Sequence, residues 1–304
     1  MRRTGDFWLK LGMITFLVIS EGPARTMRPP AAEDVIDRLL ADTRSRPWQE
    51  AWDRGSAPAD DACAAADVLV VLVPGFAYRS LEGNGADLAG PKRALEAVGF
   101  RCELAPLRDT ASIETNAMLL RDFLRECRHA RIWLISASSG GPVAAEAISQ
   151  LAHDSGAPNR IKAWVNIGGL LRGTALADDA VAWPKRWFAQ VMFRLRGWDF
   201  EAVRSLTTAR SHDRARSWVR PDGLTIVNVV GVPRNRGEVS DRAISGYRRL
   251  AQLGANDGLT LITDALVPDA ITVVAAGYDH FLLDPEIDRR TRSLALKILQ
   301  GKQD

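Results

Sequence analysis

At 304 residues, with 46% hydrophobic and 25% charged residues and nine tryptophans, the chain has the composition of a globular protein with a sizeable core, which excludes a disordered or fibrous polypeptide. Its formal charge is only +3, and no Lys/Arg block runs long enough to follow a phosphate backbone, so nucleic acid is not an expected partner. Three cysteines, Cys63, Cys102 and Cys127, show no CxxC spacing, which argues against zinc or a disulfide framework and leaves at most one bridge if the protein is exported.

From the N-terminus, Arg2 and Arg3 precede a short apolar run, Leu11 to Ile19, that ends near small residues. This is the outline of a signal peptide over residues 1–26 and of an exported, periplasmic or secreted protein. The alternative is a disordered extension ahead of a start near Met27, in a cytoplasmic protein. The run is too short to span a bilayer as a helix, and no Cys follows it for lipid attachment. Residues 27–66 read as a helical lead-in: from Ala32 to Trp52, Val35, Leu39, Leu40 and Trp48 recur at helical spacing.

From Asp67 to Val73 runs a nearly unbroken apolar stretch stopped by Pro74 and Gly75, the signature of a strand buried on both faces. A helix from about Leu88 to Val98, a strand around Phe100 to Leu104 and a helix from about Glu114 to Cys127 follow. Next come a strand from Arg131 to Ile135, a Ser/Gly turn, a helix through Ala144 to Leu151 and a strand from Ile161 to Ile167. This alternation predicts a mostly parallel sheet flanked by helices, formed by residues 67–304 as one α/β domain. Between Thr174 and Asp222 the rhythm breaks into a strandless, Trp- and Arg-rich segment, read as an inserted cap at about 174–222. Within it Trp187, Phe188, Val191, Met192 and Leu195 form an apolar helical stripe, expected to pack against the body; the other reading is a mobile lid making transient membrane contact. The arginines around it, Arg186, Arg194 and Arg196, and also Arg214 and Arg216, read as solvated helix faces. Strands return at Leu224 to Val230 and Ile271 to Ala275, before a last helix from about Asp284 to Leu299.

The stretch from Ile132 to Ala145 runs a buried strand straight into a tight turn and a helix, with Ser138 at the apex. A nucleophile on such a strained turn needs small residues two before and two after it, here Ser136 and Gly140. Ser139 is the rival nucleophile but misplaces those small neighbours. Pro142 falls in the first helical turn, where a missing N–H costs little, and the helix N-terminus offers positive dipole to an oxyanion. Val73-Pro-Gly-Phe ends its own buried strand, so the backbone N–H groups of Phe76 and Ser139 are the candidate oxyanion hole.

With these motifs the chain resembles the α/β-hydrolase superfamily, particularly its lipase and esterase branches, from about Asp67 to the end. Pro74 stands where those branches often carry His, and Ser136 stands where Gly is usual. The resemblance implies an α/β-hydrolase fold and a serine hydrolase without metal or organic cofactor, acting on a small-molecule ester or lipid-like substrate. His280, in Gly-Tyr-Asp-His-Phe after the last strand, sits where the family places its base. His129, His153 and His212 read as surface residues. Ala255-Asn-Asp-Gly-Leu resembles the turn that carries the acid in many lipases, which makes Asp257 the candidate acid, with Asp264 and Asp279 as fallbacks. Gly169-Leu-Leu-Arg-Gly-Thr resembles the turn into the lid of many lipases. An amidase, thioesterase or acyltransferase would use the same three residues, and a non-catalytic binding protein of the same fold would have them apart.

Overall fold

The computed structural model describes residues 31–55, 65–81, 83–154 and 160–301; the expected signal segment and Cys63 lie outside them. Its centre is a parallel sheet of six strands, β1 (Val68–Val73), β2 (Arg101–Leu104), β3 (Arg131–Ala137), β4 (Ile161–Ile167), β5 (Thr225–Val232) and β6 (Ile271–Ala276). The spatial order is β2-β1-β3-β4-β5-β6. The chain therefore starts inside the sheet, steps one way to β2, then returns past β1 and runs out to β6. The reversal leaves a crevice outside the carboxyl ends of β1 and β3, where parallel α/β sheets bind ligands.

Helices cover both faces, which is why the strands read as continuous apolar runs. Along β1, Val68, Val70 and Leu72 join one core, with Trp133, Ile135 and Leu294 of the C-terminal helix. Leu69, Val71 and Val73 join the other, with Leu134, Leu120 and Ile148. The first face is covered by α3 (Ala89–Glu96) and α11 (Pro285–Gln300), the second by α4 (Ile113–Glu126) and α5 (Gly140–His153). α4 starts cleanly because the Ser112 hydroxyl accepts the Thr115 N–H at 3.2 Å.

The lead-in is two helices, α1 (Ala32–Leu40) and α2 (Arg46–Arg54), where one was expected. Asp42 breaks it: its carboxylate accepts the Arg44 N–H at 3.0 Å and the Ser45 hydroxyl at 3.2 Å, an alternative to the helical bonds. The pair closes the open edge of β6. Ser45 Oγ accepts the Thr272 N–H at 3.0 Å, and the Gln49 side-chain amide bonds the backbone of Val274 both ways, at 2.8 and 3.0 Å. An edge strand otherwise offers these groups to any other chain.

Between β4 and β5 the cap is helical, as expected: α6 (Ala175–Val181), α7 (Lys185–Leu195), α8 (Glu201–Ser205) and α9 (Thr208–Ser217). Two expectations about it are overturned. The stripe on α7 does not pack against the body: no residue of α7 is buried, and Trp187 and Leu195 are 62% and 76% exposed. The side of α7 turned to the body is instead held by Phe193, whose ring packs on Phe76, Trp198 and Phe200 at 6.0, 5.6 and 5.5 Å. Nor is Arg214 a solvated residue. It lies between α4 and α9, donates to Glu114 Oε1 at 2.8 Å and to the Ser205 carbonyl at 2.6 Å, and burial pulls its pKa below the ordinary arginine value. The polar stretch after β5 also holds a helix that the sequence pattern did not predict, α10 (Ile244–Leu250), tied to α6 by the paired Arg249 and Asp179 at 2.7 and 3.1 Å.

Candidate active site

Ser138 directly follows β3 with φ 53°, a left-handed conformation that a serine adopts only where its surroundings impose it. They do so here by hydrogen bonds on both sides. Ser138 N–H donates to the Ile167 carbonyl at 3.0 Å, and the Ser138 carbonyl accepts from Gly141 and Leu170 at 2.9 and 3.2 Å. Close packing adds to this. A Cβ on Gly141 would lie 2.6 Å from Asn166 Oδ1, and one on Gly140 would lie 2.7 Å from the Pro74 carbonyl, so both positions after the turn admit only glycine. Ser138 itself is half-buried.

The structure brings Ser138, His280 and Asp257 together. His280 Nε2 is 2.9 Å from Ser138 Oγ, and its Nδ1 is 2.7 Å from Asp257 Oδ2. The histidine and aspartate side chains are each only 2% exposed, so their interaction is nearly unscreened by solvent. Asp257 is held by more than the imidazole: Oδ1 accepts the N–H groups of Leu259 and Thr260, both at 2.8 Å, and its backbone carbonyl accepts the His280 N–H at 2.8 Å. Asp257 and His280 are thus locked by side chain and main chain at once. Asp279 has a different task. Its Oδ2 accepts the Ser240 N–H at 2.7 Å and its Oδ1 the Phe281 N–H at 3.0 Å, fixing the loop on either side of His280. Asp264 makes no bond to His280; burial raises its pKa above the ordinary carboxylate value, against the opposing charges of Arg172 and His212.

The candidate oxyanion donors lie at the same place. A Cβ on Gly75 would sit 3.1 Å from Ser138 Cβ, so the turn after β1 is packed directly against the turn at Ser138. The Gly75 N–H is taken by the Ala86 carbonyl at 2.9 Å. Phe76 and Ser139 line one small cavity, together with Ile113 and Asn116 of α4 and Ala202 and Leu206 of the cap. Among the described residues no group of three His, Cys, Asp or Glu side chains converges as metal ligands would.

Beneath this site lies a feature that chain-order reading does not reveal. Ser136, Asn166, Asn228 and Thr272 occupy matching registers on β3, β4, β5 and β6 and form a buried polar row across the sheet. Trp164 Nε1–H donates to Ser136 Oγ at 2.8 Å, and Ser136 Oγ donates to Asn166 Oδ1 at 3.3 Å. The Asn166 amide reaches Asn228 Oδ1 and the Ala265 carbonyl, both at 3.3 Å, and the Asn228 amide reaches the Val267 carbonyl at 3.3 Å and Thr272 Oγ1 at 3.4 Å. The row ties the turn at Ser138 to the segment between the Asp257 turn and β6. It also accounts for serine at 136, whose hydroxyl is the acceptor that the Trp164 indole needs. The sequence signal was an Asn near the middle or end of each of two largely apolar strands, Asn166 and Asn228. Asn166→Ala is expected to cost about 2–4 kcal/mol, because it leaves several dry partners unpaired rather than removing one bond. The denaturant midpoint checks this, and a change under about 0.5 kcal/mol, typical of an indifferent surface position, would mean that the row supports nothing.

No protein-family model and no curated protein sequence matches the chain. Solved structures do. A carboxyl esterase of metagenomic origin superposes with a TM-score of 0.62 at 15% identity, over 96% of this chain and 99% of its own. The mature form of the Bacillus licheniformis lipase BlEst2 gives 0.58 at 19% identity, over 79% of this chain and 92% of its own. Staphylococcus hyicus lipase gives 0.63 at 14% identity, over 78% and 96%. At these identities the likeness is one of fold: the chain has the α/β-hydrolase fold.

Proposed function

We propose that this α/β-hydrolase-fold protein is a serine hydrolase that cleaves a carboxylic ester of an apolar acyl group through an acyl-enzyme. The observation that carries the reading is the unbroken relay from Ser138 Oγ to His280 Nε2, 2.9 Å, and from His280 Nδ1 to Asp257 Oδ2, 2.7 Å. A serine hydroxyl is a poor nucleophile at its own pKa and needs such a base. His280 takes the Ser138 proton as Oγ attacks the ester carbonyl, and Asp257 holds the ring in the required tautomer and balances the imidazolium. The developing oxyanion meets the N–H groups of Phe76 and Ser139 at the N-terminus of α5. His280 then protonates the departing alkoxide, the alcohol leaves, and an acyl group remains on Ser138. Water, deprotonated by the same histidine, attacks that acyl group and releases the acid. The esterase and lipase names of the structural neighbours favour an ester over an amide substrate.

A panel of p-nitrophenyl esters of increasing acyl length, run with and without an added alcohol acceptor, tests this. Release of p-nitrophenol with free acid as the product is the expected result. Turnover that produces only the transferred ester would make the protein an acyltransferase, and folded protein that turns over no ester would contradict the reading.

A further inference from the structure

We infer that α7 is a docking surface for membranes rich in anionic phospholipid. Trp187, Val191 and Leu195 recur every fourth residue on its outer side, beside Phe188, and Trp183 stands just ahead of the helix at 88% exposure. Elsewhere among the described residues the exposed large hydrophobics are scattered singly, as at Leu40, Met118 and Leu253, which is ordinary for a protein surface. A cluster on one helix is not. The inner side of α7 already has its packing: Phe193 and Trp198 both rest on Phe76, at 6.0 and 5.4 Å. The exposed stripe is therefore not a core face awaiting the body.

Charge selects the occupant. Arg186 and Arg194 are both exposed on this helix, Lys185 and Arg196 stand at its two ends, and no acidic residue occurs between 184 and 198. A second copy docking symmetrically by this face would set like charges against one another. An anionic lipid surface is complementary, and an exposed apolar stripe with aromatic residues on a helix whose only charges are basic is the pattern of a helix lying in the plane of the headgroups. Among the described residues no helix is long and apolar enough to cross a membrane, so this would be contact from one side. Because Phe193 on the opposite side of α7 touches Phe76, a membrane under α7 would lie close to the mouth of the crevice. The inference rests on this surface and not on the Ser138 chemistry.

The test is co-sedimentation of the full chain with vesicles of phosphatidylcholine alone and of phosphatidylcholine mixed with phosphatidylglycerol, a measurement that needs no turnover. Binding to the mixed vesicles only, weakened by salt, is expected. The Arg186→Glu/Arg194→Glu variant should bind them at least roughly thirtyfold more weakly, and Trp187→Ser/Leu195→Ser should lose binding at the same lipid composition. Circular dichroism and activity on a soluble ester should remain those of the wild type. Equal binding to both vesicle types, or binding to neither, overturns the proposal. A dimer in light scattering that Trp187→Ser/Leu195→Ser converts to a monomer would assign the stripe to self-association and overturn it as well.

Discussion

Ser138→Ala is expected to lower kcat on any accepted ester by about a millionfold while leaving the protein folded. The magnitude follows from the loss of the atom proposed to form the acyl bond; the bound ester would then react only with water, assisted by the oxyanion donors alone. Folding is spared because the Ser138 Oγ bond is to His280 Nε2 at the site itself, whereas the left-handed φ of 53° is held by backbone bonds that alanine keeps. Steady-state kinetics and a melting curve on the same preparation check both halves. A residual rate within about tenfold of the wild type, on a scale where a nucleophile counts for millions, would transfer the role to another residue, with Ser139 the first to examine.

Asp257→Asn should lower kcat by about 10,000-fold with little change in KM. The hydrogen bonds around the carboxylate give the reason. Oδ1 accepts from two backbone N–H groups, of Leu259 and Thr260. In the variant the amide oxygen must stay with those donors, so the new NH2 group points at His280 Nδ1 and donates to it. The ring is then protonated at Nε2, the atom that has to receive the serine proton. Asp264→Asn is the matched control. That carboxyl is held above its ordinary range by burial, so its ionised form is disfavoured in the folded protein, and stability falls as the pH rises from the ordinary value of 3.8 through the raised one. The amide removes that cost, and the variant should keep full activity and melt no lower than the wild type at neutral pH. Equal losses in the two variants would contradict the assignment of Asp257.

The sheet was legible because a parallel strand covered on both faces favours a long apolar run, as at Val68–Val73 and Ile132–Ile135. The three side chains that converge were legible too. Ser138 sits in a turn whose small neighbours are a local signal, whereas Asp257 in Asn-Asp-Gly and His280 after the last strand were legible through the resemblance to the α/β-hydrolase superfamily. What stayed hidden depends on which distant segments meet. The row from Ser136 to Thr272 exists only once four strands fall into register, and nothing near Asn166 in sequence names Asn228 as its partner. Arg214 is indistinguishable in sequence from a solvated arginine until α4 is placed against α9. The stripe on α7 has the periodicity of a buried face, and periodicity carries no information on whether the apolar side turns inward or outward. The segment holding α10 reads as loop because Gly246 and the polar residues before it mask a short helix.

The most direct measurement is covalent labelling with a fluorophosphonate probe, with the modified peptide mapped by mass spectrometry in the wild type and in His280→Ala. An adduct on Ser138 in the wild type and none in the variant is the predicted result, since a serine reacts with the probe only when a base activates it. Folded wild-type protein that takes no label, or takes it at Ser139, would contradict the account.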